Sequence, residues 1–142
     1  MANSPAEAAE VSELILSMFA EFVAPDYTET GIAEIRRYVM PQELQQRATE
    51  DCFVLVAATD STVVGMIEVQ AADHITLLFV DKAHHGQGIA RALVESATER
   101  CGTPLTVHAS RYAVPFYQRL GFLLAGPERS ENGRVFQPMV LE

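Results

Sequence analysis

Two glycines, Gly86 and Gly88, stand between an apolar run of strand length and a stretch with helical periodicity. Glycine lets the backbone turn tightly, so several N–H groups can aim at one point. A helix that begins there adds about half a positive charge. Together the two make a site for phosphate oxygens, although an ordinary strand–helix loop would use the same glycines. The loop is not a Walker loop, since no Gly-Lys-Ser/Thr is present. It is not GxGxxG either, because Arg91 stands where the third glycine belongs. The other chemistry-bearing residues form no metal pattern. Cys52 and Cys101 lie far apart, and His74, His84, His85 and His108 make neither HxxxH nor CxxC. Two buried thiols in a reducing cytosol are expected, with no disulfide and no metal site.

These residues need elements to position them. Ser4 can cap a helix with Pro5 at its first position and Glu7 completing a capping box. Val11, Leu14, Ile15, Met18, Phe19 and Phe22 then recur at helical spacing, up to a stop near Pro25. A second helix is predicted after Thr30, with Ile32, Ile35 and Val39 inward, ending before Pro41, and a short third one runs through Leu44. The pattern then changes to strands at 52–58, 62–70 and 75–80. The glycine loop follows, then a helix with Ile89, Leu93, Val94 and Ala97 inward, closed by Gly102. A strand at 105–109 and a short helix at 114–120 come next. Segments 122–125 and 134–141 pair around a loop containing the turn signal Asn132-Gly133, and Pro138 places the last strand at an edge or a bulge. The order predicts one mixed sheet with helices on both faces, an α/β chain of the α+β type.

Composition sets the class. The chain has 142 residues, 49% hydrophobic and 20% charged, which fits one globular domain over 1–142. Its net charge of −9 argues against broad contact with nucleic acid or an anionic membrane, which both need a basic face. No apolar run approaches the ~18 residues of a membrane helix, and the N-terminus lacks the charged and apolar regions of a secretory signal, so a cytoplasmic location is expected.

At two places the sequence resembles the GNAT superfamily of N-acetyltransferases. His85-Gly86-Gln87-Gly88-Ile89-Ala90 looks like that family's coenzyme A motif, Arg/Gln-x-x-Gly-x-Gly/Ala. The stretch Ala113-Val114-Pro115-Phe116-Tyr117-Gln118-Arg119-Leu120-Gly121-Phe122 resembles its later block, Ala-x-x-Phe-Tyr-x-x-x-Gly-Phe. The resemblance covers about residues 52–142. It implies a single GNAT-like domain with a central, mostly antiparallel mixed sheet. It also implies acetyl-coenzyme A (acetyl-CoA) as cosubstrate, with the backbone of Phe79 and Val80 pairing with the pantetheine arm. The amides from Gly86 to Ala90 would hold the pyrophosphate, and Tyr117 would protonate the departing thiolate. Ser110 may be read two ways, as closing the loop before the Tyr117 helix or as a simple cap. The chain departs from the family in two ways: His85 replaces Arg or Gln, and the first strand is short or missing.

An amine must be neutral to attack a thioester, so a base or a water chain must take its proton. The family's usual glutamate position is His74 here, and an imidazole of ordinary pKa ~6.5 suits that task. Glu68 on the neighbouring strand is the rival. Each also has a plainer reading, His74 as a solvent-facing strand start and Glu68 as a surface position on an alternating strand. His108 suits a structural or substrate-contact role equally well.

The expected activity is direct transfer of an acetyl group to a primary amine, of a small molecule or a peptide, without an acyl-enzyme. The alternative is a catalytically idle acyl-CoA-binding module that regulates a partner. A homodimer through the C-terminal strands is a further expectation, with 135–141 as the apolar candidate. Residues 1–51 hold 10 Asp/Glu and 3 Arg, against 9 acidic and 7 basic residues in 52–142. The acidity therefore lies on the N-terminal helices, and the resemblance places these on the acceptor side as an acidic wall suited to a cationic amine.

Overall fold

A computed structural model of the chain describes residues 5–48 and 52–142. The first helix, α1 (Pro5–Phe22), buries Val11, Ile15, Met18 and Phe19 along the predicted stripe. The Ser4 cap lies outside the described residues. A single 3-10 turn at Ala24–Asp26 leads into α2 (Glu29–Tyr38). This helix starts earlier than predicted. Thr28, not Thr30, is its cap, with Oγ1 accepting the Gly31 N–H at 3.3 Å. The short α3 (Pro41–Arg47) follows, with Pro41 at its first position.

The remaining elements are β1 (Phe53–Thr59), β2 (Thr62–Gln70), β3 (His74–Val80), α4 (Ile89–Cys101), β4 (Leu105–Ala109), α5 (Val114–Arg119), β5 (Leu123–Leu124), β6 (Arg129–Glu131) and β7 (Arg134–Leu141). They form one seven-stranded sheet in the order β1-β2-β3-β4-β7-β5, with β6 also on β7. Only the β3–β4 pair is parallel. Helix α4 covers one face, where Ile67 and Val69 meet Leu93, Val94 and Ala97. The N-terminal helices cover the other, where Met66 and Leu77 meet Val11, Ile15 and Leu44.

The C-terminal hairpin differs from its prediction. Asn132-Gly133 does turn the chain, with φ of 51° and 79°, the left-handed pair that a two-residue hairpin demands. It joins β7 to β6, a strand the sequence did not reveal, because Arg129-Ser130-Glu131 is short and polar. Pro138 lies not at a sheet edge but in β7, between β4 and β5. β5 pairs with 139–140 and β6 with 134–136, so Pro138 falls in the gap between them. Its carbonyl accepts from the Ala125 N–H at 2.9 Å, so the side of Pro138 without a donor faces that gap. β4 flanks β7 on one side, and β5 and β6 flank it on the other.

Two irregularities position the site. β3 and β4 pair only at His74↔Thr106 and Ile75↔Val107, and then part. At the same point the β2–β3 register passes from Val69↔Ile75 to Glu68↔Leu77, leaving Thr76 as an extra residue. Such a bulge bends its strand. The Thr76 hydroxyl donates to a Glu68 carboxylate oxygen at 2.6 Å. That carboxylate is not on the surface as alternation predicted, but 0% exposed. Helices cover both faces of β2, so alternation there has no solvent side. Glu68 also accepts from the Tyr38 hydroxyl at 2.8 Å and from two Arg47 guanidinium nitrogens at 3.2 and 3.0 Å. Removing one partner of a buried pair strands the other charge. Arg47→Met is therefore expected to lower stability by about 3 kcal/mol in urea unfolding. A loss under ~1 kcal/mol would show that the Arg47–Glu68 pair does not support the fold.

Candidate active site

The parting of β3 and β4 opens two cavities. One, of about 600 Å³, runs from the wedge to the glycine loop and the start of α4. The other, of about 460 Å³, lies between the wedge, the ends of α1 and α2, and β7. Leu78, Phe79, Ser110, Ala113 and Tyr117 line both, so the cavities meet at the wedge.

In the first cavity the backbone supplies the chemistry. Gly86 and Gly88 both have φ +80°, a conformation that L side chains rarely adopt. Gly88 is the N-cap of α4, and no side chain caps that end. The first amides of α4 are thus open to an acceptor, at the positive end of a 13-residue helix. Ile89 packs close to the sheet because β2 has a glycine below it. A Cβ on Gly65 would lie 3.0 Å from Ile89 Cγ2. His85, Gly86, Gly88, Ile89 and Ala90 line this cavity, whereas Gln87 does not. The His85 ring nitrogen Nε2 donates to the Val80 carbonyl at 2.7 Å, so this residue braces the end of β3.

The backbone polarity of β3 can be followed residue by residue. The Asp81 N–H donates to Val64 O at 2.8 Å, across to β2. Alternation then turns the polar groups of Val80 and Leu78 into the wedge and those of Phe79 toward β2. The expected pair of Phe79 and Val80 therefore divides: Leu78 offers its backbone groups and Val80 its N–H to the wedge, the Val80 carbonyl being taken by His85, and Phe79 only lines the cavities. Ser110 lines both cavities, and its Oγ accepts the Ala113 N–H at 3.3 Å, closing the loop into α5.

Tyr117 sits at the junction, 3% exposed, with Phe116 and Phe122 edge-on at 5.2 and 5.1 Å. Burial pushes its phenol well above the ordinary tyrosine value, so it holds its proton at neutral pH. His74 opens β3 and lines the second cavity, half-buried rather than solvent-facing. Its Nδ1 lies 2.7 Å from Thr106 Oγ1, and its ring meets His108 edge-on at 4.7 Å. Burial, and then His108, pull the His74 pKa below 6.5, so the ring is neutral near pH 7. His108 stacks on Phe136 at 4.3 Å, and its pKa is also lowered, by burial and then by Arg129 and Arg134. Glu68 does not line either cavity.

Among the described residues, few of the N-terminal acidic groups face the second cavity. Of the acidic residues on α1 to α3, only Glu34 lines the second cavity. Glu21 pairs with Lys82, Asp26 with Arg111, and Glu10 accepts the Val63 N–H. Sequence reasoning also missed basic and aromatic cavity residues: Arg91 and Arg119 in the first, Tyr27, Arg134 and Phe136 in the second. Only the site of Arg134, directly after the Asn132-Gly133 turn, had a local signal. Cys52 and Cys101 are half-buried rather than buried, and no disulfide joins them. Among the described residues no cluster of three His, Cys, Asp or Glu could hold a metal, and no helix is long and apolar enough to cross a membrane.

The fold has many solved counterparts. A GCN5-related N-acetyltransferase from Rhodopseudomonas palustris superposes with a TM-score of 0.76 at 23% identity, covering 96% of this chain and 90% of that one. The PaiA N-acetyltransferase from Thermoplasma acidophilum, solved with coenzyme A, gives 0.74 at 18% identity over 96% and 93%. An aminoglycoside 6'-N-acetyltransferase, also complexed with coenzyme A, gives 0.66 at 15% over 98% and 92%. At these identities the likeness establishes the fold. No curated protein sequence matches the chain. A family model described as an acetyltransferase (GNAT) domain matches residues 23–142, most of the chain. With its mixed sheet parting at β3 and β4, this chain belongs to the GNAT acetyltransferase family.

Proposed function

We propose that the protein is an acetyl-CoA-dependent N-acetyltransferase that moves an acetyl group directly to a primary amine. The observation that carries this reading is the meeting of two cavities at Tyr117. One offers helix amides and an open strand edge to a long anionic cosubstrate, and the other offers a neutral imidazole. The solved relatives with coenzyme A bound support that choice of cosubstrate.

Acetyl-CoA, when bound, supplies the thioester. The amides from Gly86 to Ala90 hold its pyrophosphate, without Gln87's side chain, and Val80 with Leu78 guides the pantetheine arm. His74 takes a proton from the acceptor ammonium, directly or through one water, so that the nitrogen lone pair can attack the carbonyl carbon. As the carbon–sulfur bond breaks, Tyr117 gives its proton to the leaving thiolate. Burial makes that phenol a weaker acid than a thiol, so the phenolate is brief: the nitrogen, left positively charged by the attack, gives up its remaining extra proton, and that proton restores Tyr117. Glu68 acts as a positioning residue, since its carboxylate is held by Arg47, Tyr38 and Thr76 and lies outside both cavities.

Thiol release from acetyl-CoA across an amine panel tests the activity. Turnover on at least one amine is expected, and tight cofactor binding without turnover on any would favour a regulatory module. Tyr117→Phe is expected to lower kcat about 100-fold with coenzyme A affinity unchanged, and unchanged kcat would remove Tyr117 from the acid role. Gly88→Glu, which forces a side chain onto φ +80° and puts a carboxylate at the helix end, is expected to abolish coenzyme A binding in isothermal titration. Wild-type affinity would contradict the pyrophosphate site. Because the His74 pKa is lowered, its neutral form survives below pH 6.5, and activity is lost only as pH falls through that lowered value. The kcat/KM profile should therefore steepen below pH 6.5, and this steepening should vanish in His74→Gln. Steepening that persists in the variant would exclude His74 as the base.

A further inference from the structure

The second cavity holds a guanidinium with no ion-pair partner among the described residues. Arg134 opens β7 and is the one Lys or Arg among the residues lining that cavity. Its Nε is buried and has no hydrogen-bond partner. Among the described residues no carboxylate lies within ion-pair distance of it. The other arginines nearby are matched: Arg129 pairs with Glu131, Arg47 with Glu68, and Arg111 with Glu128 and Asp26. A buried guanidinium donor without a partner is costly, and planar carboxylates are its best match. The Arg134 charge is felt at the two neighbours that bound this part of the cavity. It opposes the effect of burial on the Tyr27 phenol and adds to the effect of burial on His108. Tyr27 lines the same cavity and adds a hydroxyl donor to it.

The rest of the lining limits what else the occupant can carry. Phe19, Val23, Ile35 and Phe136 present apolar and aromatic walls. Glu34 lies in the same cavity and makes no ion pair among the described residues, so a second carboxylate on the occupant would meet a like charge.

We propose that the acceptor is a small primary amine carrying one carboxylate, of the neutral amino-acid type with an apolar side chain, and that Arg134 with Tyr27 binds that carboxylate. The proposal rests on the acetyl-transfer reading and specifies its acceptor. Arg134 is then a specificity-determining residue, far in sequence from the glycine loop.

Matched probes test it. L-phenylalanine, L-phenylalaninamide and phenethylamine share a ring and a primary amine and differ at the carboxylate. The wild type is expected to prefer the acid over the amide by about 10–100-fold in kcat/KM, the range of a charge-assisted hydrogen bond. Arg134→Gln should erase that preference while changing the amide's kcat/KM little, and Arg134→Lys should keep part of it. Equal use of acid and amide by the wild type, or a loss in Arg134→Gln that is the same for both, would overturn the proposal. A second readout needs no turnover: titration of N-acetyl-L-phenylalanine and its amide into the protein saturated with coenzyme A. Carboxylate-dependent binding that Arg134→Gln removes would sustain the carboxylate site even if no acetyl transfer occurred. Binding that ignores the carboxylate would overturn the site and leave acetyl transfer standing.

Discussion

A buried carboxylate holds the bend on which the site depends. Glu68 accepts from the extra residue Thr76, whose bulge turns β3 away where its two-residue pairing with β4 ends. The same carboxylate takes donors from Tyr38 on α2 and Arg47 on α3, so the N-terminal helices are tied to the bend. In an apolar setting, an unpaired carboxylate would be far less stable than this satisfied one. The parting of the strands creates open backbone groups on β3, and Tyr117 on α5 fills the floor of the gap. A parallel pair that continued along β4 would cover those groups and leave neither cavity.

The two cavities recognise their occupants by different means. The glycine-loop side works through main-chain amides and a helix end, which bind phosphate oxygens with little help from side-chain identity. The bracing of Val80 by His85 fits this division, because the side chain at that position supports the strand and leaves the amides free. The acceptor side works through individual side chains: two histidines kept neutral by burial, one arginine and one glutamate. Under the proposed function, changes there would alter which amine is chosen without touching the glycine-loop cavity.

Much of this was legible in the sequence, for physical reasons. β2 and β4 occupy the predicted 62–70 and 105–109, because β-branched runs bounded by turn residues leave little choice. The glycine loop was readable because only glycine adopts φ +80° at low cost. Glu68 was misplaced because alternation reveals which residues share a face and not whether that face meets water. The α2 start was misread because Thr28 and Thr30 are equally good caps by type, and the choice was made by the Gly133 carbonyl, which accepts from the Thr28 N–H at 2.9 Å. The charge of the N-terminal helices was counted correctly and assigned to the wrong face, since ion pairs with Lys82 and Arg111 draw Glu21 and Asp26 elsewhere. The turn before Arg134 was readable from Asn132-Gly133, but not the cavity that the residue lines, because the other walls come from α1, α2, β3 and β4, distant in sequence.

The central claim is that Tyr117, at the meeting of the two cavities, faces the reacting sulfur. A crystal structure with coenzyme A bound tests it most directly. The account predicts a pantetheine arm in the wedge, bonded to Val80 or Leu78 backbone groups, and a sulfur about 3 Å from the Tyr117 hydroxyl. A coenzyme A whose sulfur lies away from Tyr117, or whose arm avoids the gap between β3 and β4, would contradict it.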